Sequence, residues 1–290
     1  MNKTRIVCYG DSNTWGYCAA TGNRYDDDQR WVPMLQQLLG DQYSVLEEGL
    51  SGRTTVFDDP LFPALNGLAH LPAIAMSHAP IDLLVVMLGT NDCKERFSVN
   101  SQNIADGLRR LVNEAKRMDI WRDEPRILII APMIIDKAVY QVPRIGQEMG
   151  ERCAEKSRQL PALMRETARE TGSWFMDCNP FVRPGPADWM HFDADSNPTF
   201  ARALASMVKR IFTHPELLED SWCLGNSRYS SLKIEGNAIS TATVRSKRKL
   251  LCMPGSRAIC REDALNIRIA TTGWESRELG AFAGVARSHI

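Results

Sequence analysis

Ser12 lies in the stretch Ile6-Val7-Cys8-Tyr9-Gly10-Asp11-Ser12-Asn13-Thr14-Trp15-Gly16, where a short apolar run stops abruptly at a glycine. A serine in the turn between a strand and a helix is surrounded by unpaired amide N–H groups, which can receive a developing negative charge. Such a serine can serve as nucleophile and oxyanion donor together, provided a base reaches it. His191 is the natural base. Asp188 precedes it by three residues, so one helical turn or a tight loop brings both side chains to the same side. The carboxylate can then fix the imidazole tautomer and stabilise the imidazolium formed when Ser12 gives up its proton. Asn91 offers a neutral amide donor, and Gly52 a backbone N–H that no Cβ obstructs. Ser12, Gly52 and Asn91 are together the parts of an oxyanion hole. Each piece is commonplace alone. A Gly-Asp-Ser turn is often no more than an Asx-type turn, and Asp-x-x-His is often a solvated pair.

These residues can act together only if the fold converges them. Residues 4–10 read as a buried strand, and Tyr43-Ser44-Val45-Leu46-Glu47-Glu48 as a second that runs into Gly49-Leu50-Ser51-Gly52-Arg53-Thr54-Thr55. Asp82-Leu83-Leu84-Val85-Val86-Met87-Leu88 is apolar throughout, as a central parallel strand covered on both faces should be, and it ends in Gly89-Thr90-Asn91-Asp92. Residues 126–131 and 174–177 complete a set of five strands. Helices are predicted over 31–39, with Trp31, Met34, Leu35, Leu38 and Leu39 on one face, near 66–78, and over 101–118, 148–171 and 197–213. Residues 17–29 read as a polar excursion, and 133–147 as the wall of a pocket or a subunit contact. Alternation of strand and helix predicts an α/β fold with a mostly parallel sheet. Three polar turns follow strands and therefore share one rim, where such sheets bind ligands. The turn at Asp188–His191 is expected to join them there.

At this point the chain resembles the SGNH hydrolases, also called GDSL-type esterases. The resemblance rests on four blocks in order: Gly10-Asp11-Ser12, Ser51-Gly52-Arg53, Gly89-Thr90-Asn91-Asp92 and Asp188-Trp189-Met190-His191. It extends through Glu47-Glu48-Gly49, Asp58-Asp59-Pro60 and Leu65-Asn66-Gly67 to look like the arylesterase and acyltransferase branch, over roughly residues 4–213. The resemblance implies a flavodoxin-like three-layer α/β/α sandwich around a five-stranded sheet. It implies Ser12 as nucleophile, His191 as base, Asp188 as its orienting acid, and Gly52 and Asn91 in the oxyanion hole. Asp11 would hold the turn. Trp15, Thr90, Lys94 and Met190 would line the substrate pocket, although Trp15 and Met190 read equally well as core. Asn13 departs from the Leu in the family's name. Residues 132–150 look shorter than the insertion that helps this branch assemble, so a homo-oligomer is left open.

Composition narrows the partners. Lys plus Arg balance Asp plus Glu at 35 each in 290 residues, which argues against nucleic acid or an anionic membrane as partner. No apolar run approaches a membrane span or a signal-peptide core. Eight scattered cysteines without zinc spacing suggest reduced thiols in a cytoplasmic protein. No metal or organic cofactor is implied, because the serine chemistry is complete without one.

Residues 1–214 are expected to be the hydrolase domain, and 215–290 a basic, disordered or weakly ordered extension without a catalytic part. From residue 225 onward eleven Lys and Arg face five Asp and Glu. A small basic module using Arg245-Ser246-Lys247-Arg248-Lys249 is the sharper alternative. The sequence therefore points to a serine esterase for small or short-chain esters such as aryl acetates or acetylated sugars, with acyl transfer to alcohols open. The rival is a flavodoxin-like phosphate- or nucleotide-binding module. That rival lacks a P-loop lysine and has no use for Asp188 beside His191.

Overall fold

A computed structural model of the chain describes residues 2–214, and the expected extension over 215–290 lies outside them. In order, the elements are β1 (Thr4–Gly10), α1 (Ser12–Trp15), β2 (Tyr17–Cys18), β3 (Asn23–Arg24), α2 (Trp31–Leu39), β4 (Tyr43–Gly49) and α3 (Gly67–Ser77). There follow β5 (Leu83–Met87), α4 (Ser101–Arg117), β6 (Ile127–Ala131), α5 (Ile145–Met149), α6 (Cys153–Thr171), β7 (Trp174–Asp177) and α7 (Ser196–Thr213).

Five strands form one parallel sheet in the order β4-β1-β5-β6-β7. This is the flavodoxin-like order, in which the chain reverses direction of travel between the first and third sheet strands. Here those are β1 and β5, and the turns after them carry Ser12 and Asn91. Alternation along the strands builds the three layers. Val7, Tyr9, Leu84 and Val86 face α3, α4 and α6, whereas Ile6, Cys8, Leu83 and Val85 face α2 and α7. Both faces are thus covered, which is why these strands read as continuous apolar runs.

Local chemistry sets the helix ends. Asn66 caps α3 by accepting from Ala69 N–H, and Asn100 and Asn103 form a reciprocal capping box at α4. Gly172 ends α6 in the left-handed conformation.

Some expectations change. On α2 the buried residues are Trp31, Val32, Leu35 and Leu39, and Leu38 is 41% exposed. At about 100° per residue, Val32 and Leu38 lie about 20° beyond opposite edges of the arc spanned by Trp31, Leu35 and Leu39, and packing against the sheet and α7 covers the Val32 edge. The polar excursion contains the antiparallel β2–β3 hairpin. The helix expected over 148–171 begins at Cys153, and Gly150 separates it from α5. Pro161 lies within α6 without ending it. The five described cysteines are free and buried. Among the described residues no helix is long and apolar enough to cross a membrane.

Gly10 and Gly49 are paired at the ends of β1 and β4. A Cβ on Gly49 would stand 2.2 Å from Trp15 N, and one on Gly10 would stand 1.9 Å from Thr14 Oγ1. The one-turn helix α1 rests directly on this pair. Gly49→Ala must push α1 off the sheet, and overpacking of this kind costs about 1–3 kcal/mol. The expected result is a lower urea midpoint with an unchanged denaturant slope. A midpoint equal to that of the wild type would show that α1 is not clamped there.

Candidate active site

The site is assembled from turns at the C-terminal rim of the sheet. After β1, Asp11 caps α1 by accepting from Asn13 N–H at 3.0 Å. This places Ser12 at the first position of α1, where its N–H has no intrahelical acceptor. After β4, Gly52 adopts φ +89°, and a Cβ there would also meet Leu65 Cδ1 at 2.9 Å. The left-handed turn therefore needs glycine. After β5, Asn91 donates one amide N–H to the Arg53 carbonyl at 3.1 Å, which leaves the second for a ligand. Ser12, Gly52 and Asn91 all line the same cavity, whose volume is about 440 Å³.

Arg53 joins these turns. Its guanidinium is buried and donates to the carbonyls of Gly10, at 2.9 Å, and Glu48, and it lies 4.1 Å from the Tyr9 ring centre. Burial pushes its pKa down, opposed by Tyr9, Glu48 and Asp11. The neighbouring Asp92 is fully buried and accepts from both the amide and the hydroxyl of Thr55. Burial raises its carboxyl to about 6 in spite of those two bonds.

The loop between β7 and α7 delivers His191. Its Nδ1 lies 2.5 Å from Asp188 Oδ2, and its Nε2 lies 2.7 Å from Ser12 Oγ, across 179 residues of sequence. Asp188 Oδ1 also accepts from the backbone N–H groups of Met190 and His191. Burial raises the Asp188 pKa, but the His191 bond and charge together with the two N–H groups outweigh it, so the carboxyl stays below its ordinary value. An ionised carboxylate only accepts, so the Nδ1 proton faces Asp188 and Nε2 is left to accept from Ser12. This line can move a proton from the serine hydroxyl to the imidazole. All three residues are at most 6% exposed.

Of the four residues placed in the substrate pocket by resemblance, Lys94 and Met190 line the cavity. Trp15 and Thr90 do not. Trp15 is half-buried beneath the Arg24 guanidinium, 5.1 Å from its ring centre, and Thr90 is buried beside Asp11 under the rim. Of the other lining residues, Ile145 falls in the stretch 133–147 read as a pocket wall or a subunit contact, and the rest lie outside any such reading. Tyr17, on the hairpin, packs against His191 with ring centres 4.6 Å apart and planes tilted by 53°. Phe62, Pro63 and Leu65 come from the proline-rich loop, and Ile145, Glu148 and Met149 from α5. Lys94 Nζ is 2.9 Å from Glu148, which also accepts from Arg96 at 3.0 Å. Among the described residues no cluster of three or more His, Cys, Asp or Glu is arranged to hold a metal ion.

Residues 8–216 match the model of the GDSL-like lipase/acylhydrolase family. The M. smegmatis aryl esterase is 33% identical, with a TM-score of 0.66 over 71% of this chain and 98% of its own. Est24, a carbohydrate acetylesterase from Sinorhizobium meliloti, is 33% identical, with a TM-score of 0.67 over 72% of this chain and 100% of its own. A carbohydrate acetylesterase family member from the same organism is 35% identical, with a TM-score of 0.66 over 72% and 98% of the two chains. No curated protein matches the chain.

Asp92 and Asp188 should affect stability with opposite signs. Asp188, held low, contributes stability at neutral pH that is lost as pH falls through its folded-state value, below about 4. Asp92, held high, contributes stability that is full below about 4 and is lost as pH rises through about 6. Asp92→Asn retains an acceptor for Thr55 but cannot ionise. Wild-type stability should therefore gain on that of Asp92→Asn as pH is lowered from 7 to 4.5, measured by urea unfolding. Parallel curves would place the Asp92 carboxyl at its ordinary value.

Proposed function

The chain belongs to the GDSL-like lipase/acylhydrolase family, and we propose that it is a serine esterase for small, short-acyl esters that works through an acyl-enzyme on Ser12. The observation that carries this reading is the line Asp188–His191–Ser12 ending in the cavity, with 2.5 Å and 2.7 Å contacts. In this mechanism Ser12 Oγ attacks the ester carbonyl carbon while its proton passes to His191 Nε2. The carbonyl oxygen becomes an oxyanion held by the N–H groups of Ser12 and Gly52 and the free amide N–H of Asn91. Asp188 stabilises the imidazolium. Collapse of the intermediate breaks the bond to the leaving alcohol, which takes the proton from Nε2. Water then attacks the acyl-enzyme by the same route and releases the acid. An alcohol in place of that water would give acyl transfer.

Cavity size and chemistry support a short acyl group and a polar alcohol. A volume of about 440 Å³ is at the small end of ligand pockets. Most of its wall is apolar, but Lys94 and Glu148 set a donor and an acceptor side by side. Such a pair suits a hydroxyl-rich leaving group, in keeping with the carbohydrate acetylesterases among the similar structures. The phosphate-binding alternative gains nothing here, because Glu148 neutralises the cation in the wall.

Turnover of p-nitrophenyl esters from acetate to dodecanoate should fall with acyl length. Ser12→Ala should lose roughly 10³-fold or more in kcat. Equal turnover by both proteins would remove Ser12 from the chemistry. Lys94→Met should lose about tenfold more kcat/KM on an acetylated monosaccharide than on p-nitrophenyl acetate, the worth of one charged hydrogen bond. Equal losses on both esters would place the sugar away from Lys94.

A further inference from the structure

Every polar atom of Asn13 is engaged, and its side chain reaches past Ser12 to the loop that carries His191. Its N–H donates to Asp11 Oδ1 at 3.0 Å, and its carbonyl accepts from Trp31 Nε1 at 2.9 Å. These two bonds fix its backbone to the α1 turn and to α2. Its side-chain Oδ1 accepts from Phe192 N–H at 3.0 Å, and its Nδ2 donates to the Met190 carbonyl at 3.4 Å. Met190 and Phe192 flank His191. A residue in a parallel β-bridge donates to the carbonyl before its partner and accepts from the N–H after it. The Asn13 amide reproduces that pattern around His191 without a strand.

We propose that Asn13 is a positioning residue that sets the register of His191 against Ser12, a role that rests on the reading of Ser12 and His191 as nucleophile and base. Asn13 is adjacent to Ser12 in sequence, so the two share one rigid turn. Its amide holds the peptide groups on both sides of His191, so the imidazole cannot translate along the loop without breaking one of the two bonds. The other restraints do not duplicate this. The Asp188 bonds to Met190, His191 and the imidazole, and the Gly185 N–H bond to the His191 carbonyl, lie within the loop and travel with it. Asp136 N–H holds the Trp189 carbonyl from the far side, and Tyr25 hydroxyl reaches the Phe192 carbonyl only at 3.5 Å. Tyr17 meets the ring at a 53° tilt, a contact without a hydrogen bond that sets no register along the loop. Apart from the Ser12–His191 bond itself, the Asn13 amide supplies the hydrogen bonds between the nucleophile's turn and the base's loop among the described residues.

Asn13→Leu removes both side-chain bonds at similar volume and introduces the residue that the family's name carries at this position. A displacement of about 1 Å between reacting groups can cost about 10²-fold in rate. For p-nitrophenyl acetate, kcat should fall about 10- to 100-fold, with KM within about threefold because Asn13 does not line the cavity. Ser12 labelling by a fluorophosphonate should slow by the same factor. The downfield proton resonance of the His191–Asp188 bond should remain, because that pair moves as one body with its loop. Wild-type kcat in folded Asn13→Leu would overturn the proposal, and so would loss of that resonance, which would make Asn13 a support for the loop's fold alone. If Asn13→Leu does not fold, the isosteric Asn13→Asp keeps the acceptor and loses the donor when ionised. It should lose kcat at unchanged KM, and an unchanged kcat overturns the proposal equally. Ser12→Ala run in parallel separates the two ideas. Activity surviving in Ser12→Ala would sink the nucleophile itself, whereas activity lost in Ser12→Ala but intact in Asn13→Leu would sink only the positioning role.

Discussion

The site depends on how closely one helical turn can approach the end of a sheet. Gly10 and Gly49 pair where β1 and β4 end; the Thr14 side chain occupies the space that a Cβ on Gly10 would need, and the backbone of Thr14 and Trp15 the space that one on Gly49 would need. That approach directs the Ser12 hydroxyl and N–H over the rim instead of away from it. It also leaves the Gly10 carbonyl within reach of Arg53, whose guanidinium binds the ends of both strands. Arg53 then presents its own carbonyl to Asn91. Three turns far apart in sequence are thereby referenced to one pair of glycines.

The rim is also a place where charge is buried at a cost. Arg53, Asp92, Asp188 and Lys94 are all nearly inaccessible to water. Each is held by groups that the fold supplies for it: strand-end carbonyls for Arg53, Thr55 for Asp92, His191 and two backbone N–H groups for Asp188, and Glu148 for Lys94. Buried charges of this kind gain little net stability, but leaving one without its partner is expensive. The low dielectric around them also strengthens the fields acting on the His191–Ser12 pair.

Where the physics is local, the sequence is explicit. The strands could be read because both faces of the sheet are covered, which turns β5 and β6 into unbroken apolar runs. Asp188 and His191 could be paired because three residues in a tight loop suffice to join them. Gly52 and Asn91 stood out as polar turns after strands. What escaped notice depended on tertiary packing. The strands Tyr17–Cys18 and Asn23–Arg24 are two residues each, too short for any period. Phe62 and Glu148 became cavity walls only through where the proline-rich loop and α5 settle. Leu38 looks buried on α2 until the position of the sheet selects which arc of the helix is covered. Trp15 and Thr90 belong to the right turns, yet their side chains turn away from the cavity. Asn13 looked like an inconsequential departure from a motif, and only coordinates reveal what its amide touches.

The pairing of residues 12 and 191 has a consequence for how the molecule comes into being. At about 5–20 residues per second, a ribosome releases the serine roughly 10–35 s before the histidine that must meet it. β4 and β5, the neighbours of β1, are made within that interval, but no chain ending before residue 191 holds the hydroxyl–imidazole pair. On the proposed mechanism, a chain that ends before residue 191 has no base for Ser12. On that mechanism, the first ester cleaved by a new chain would mark the arrival of His191 beside Ser12, in whatever order the strands beneath them joined.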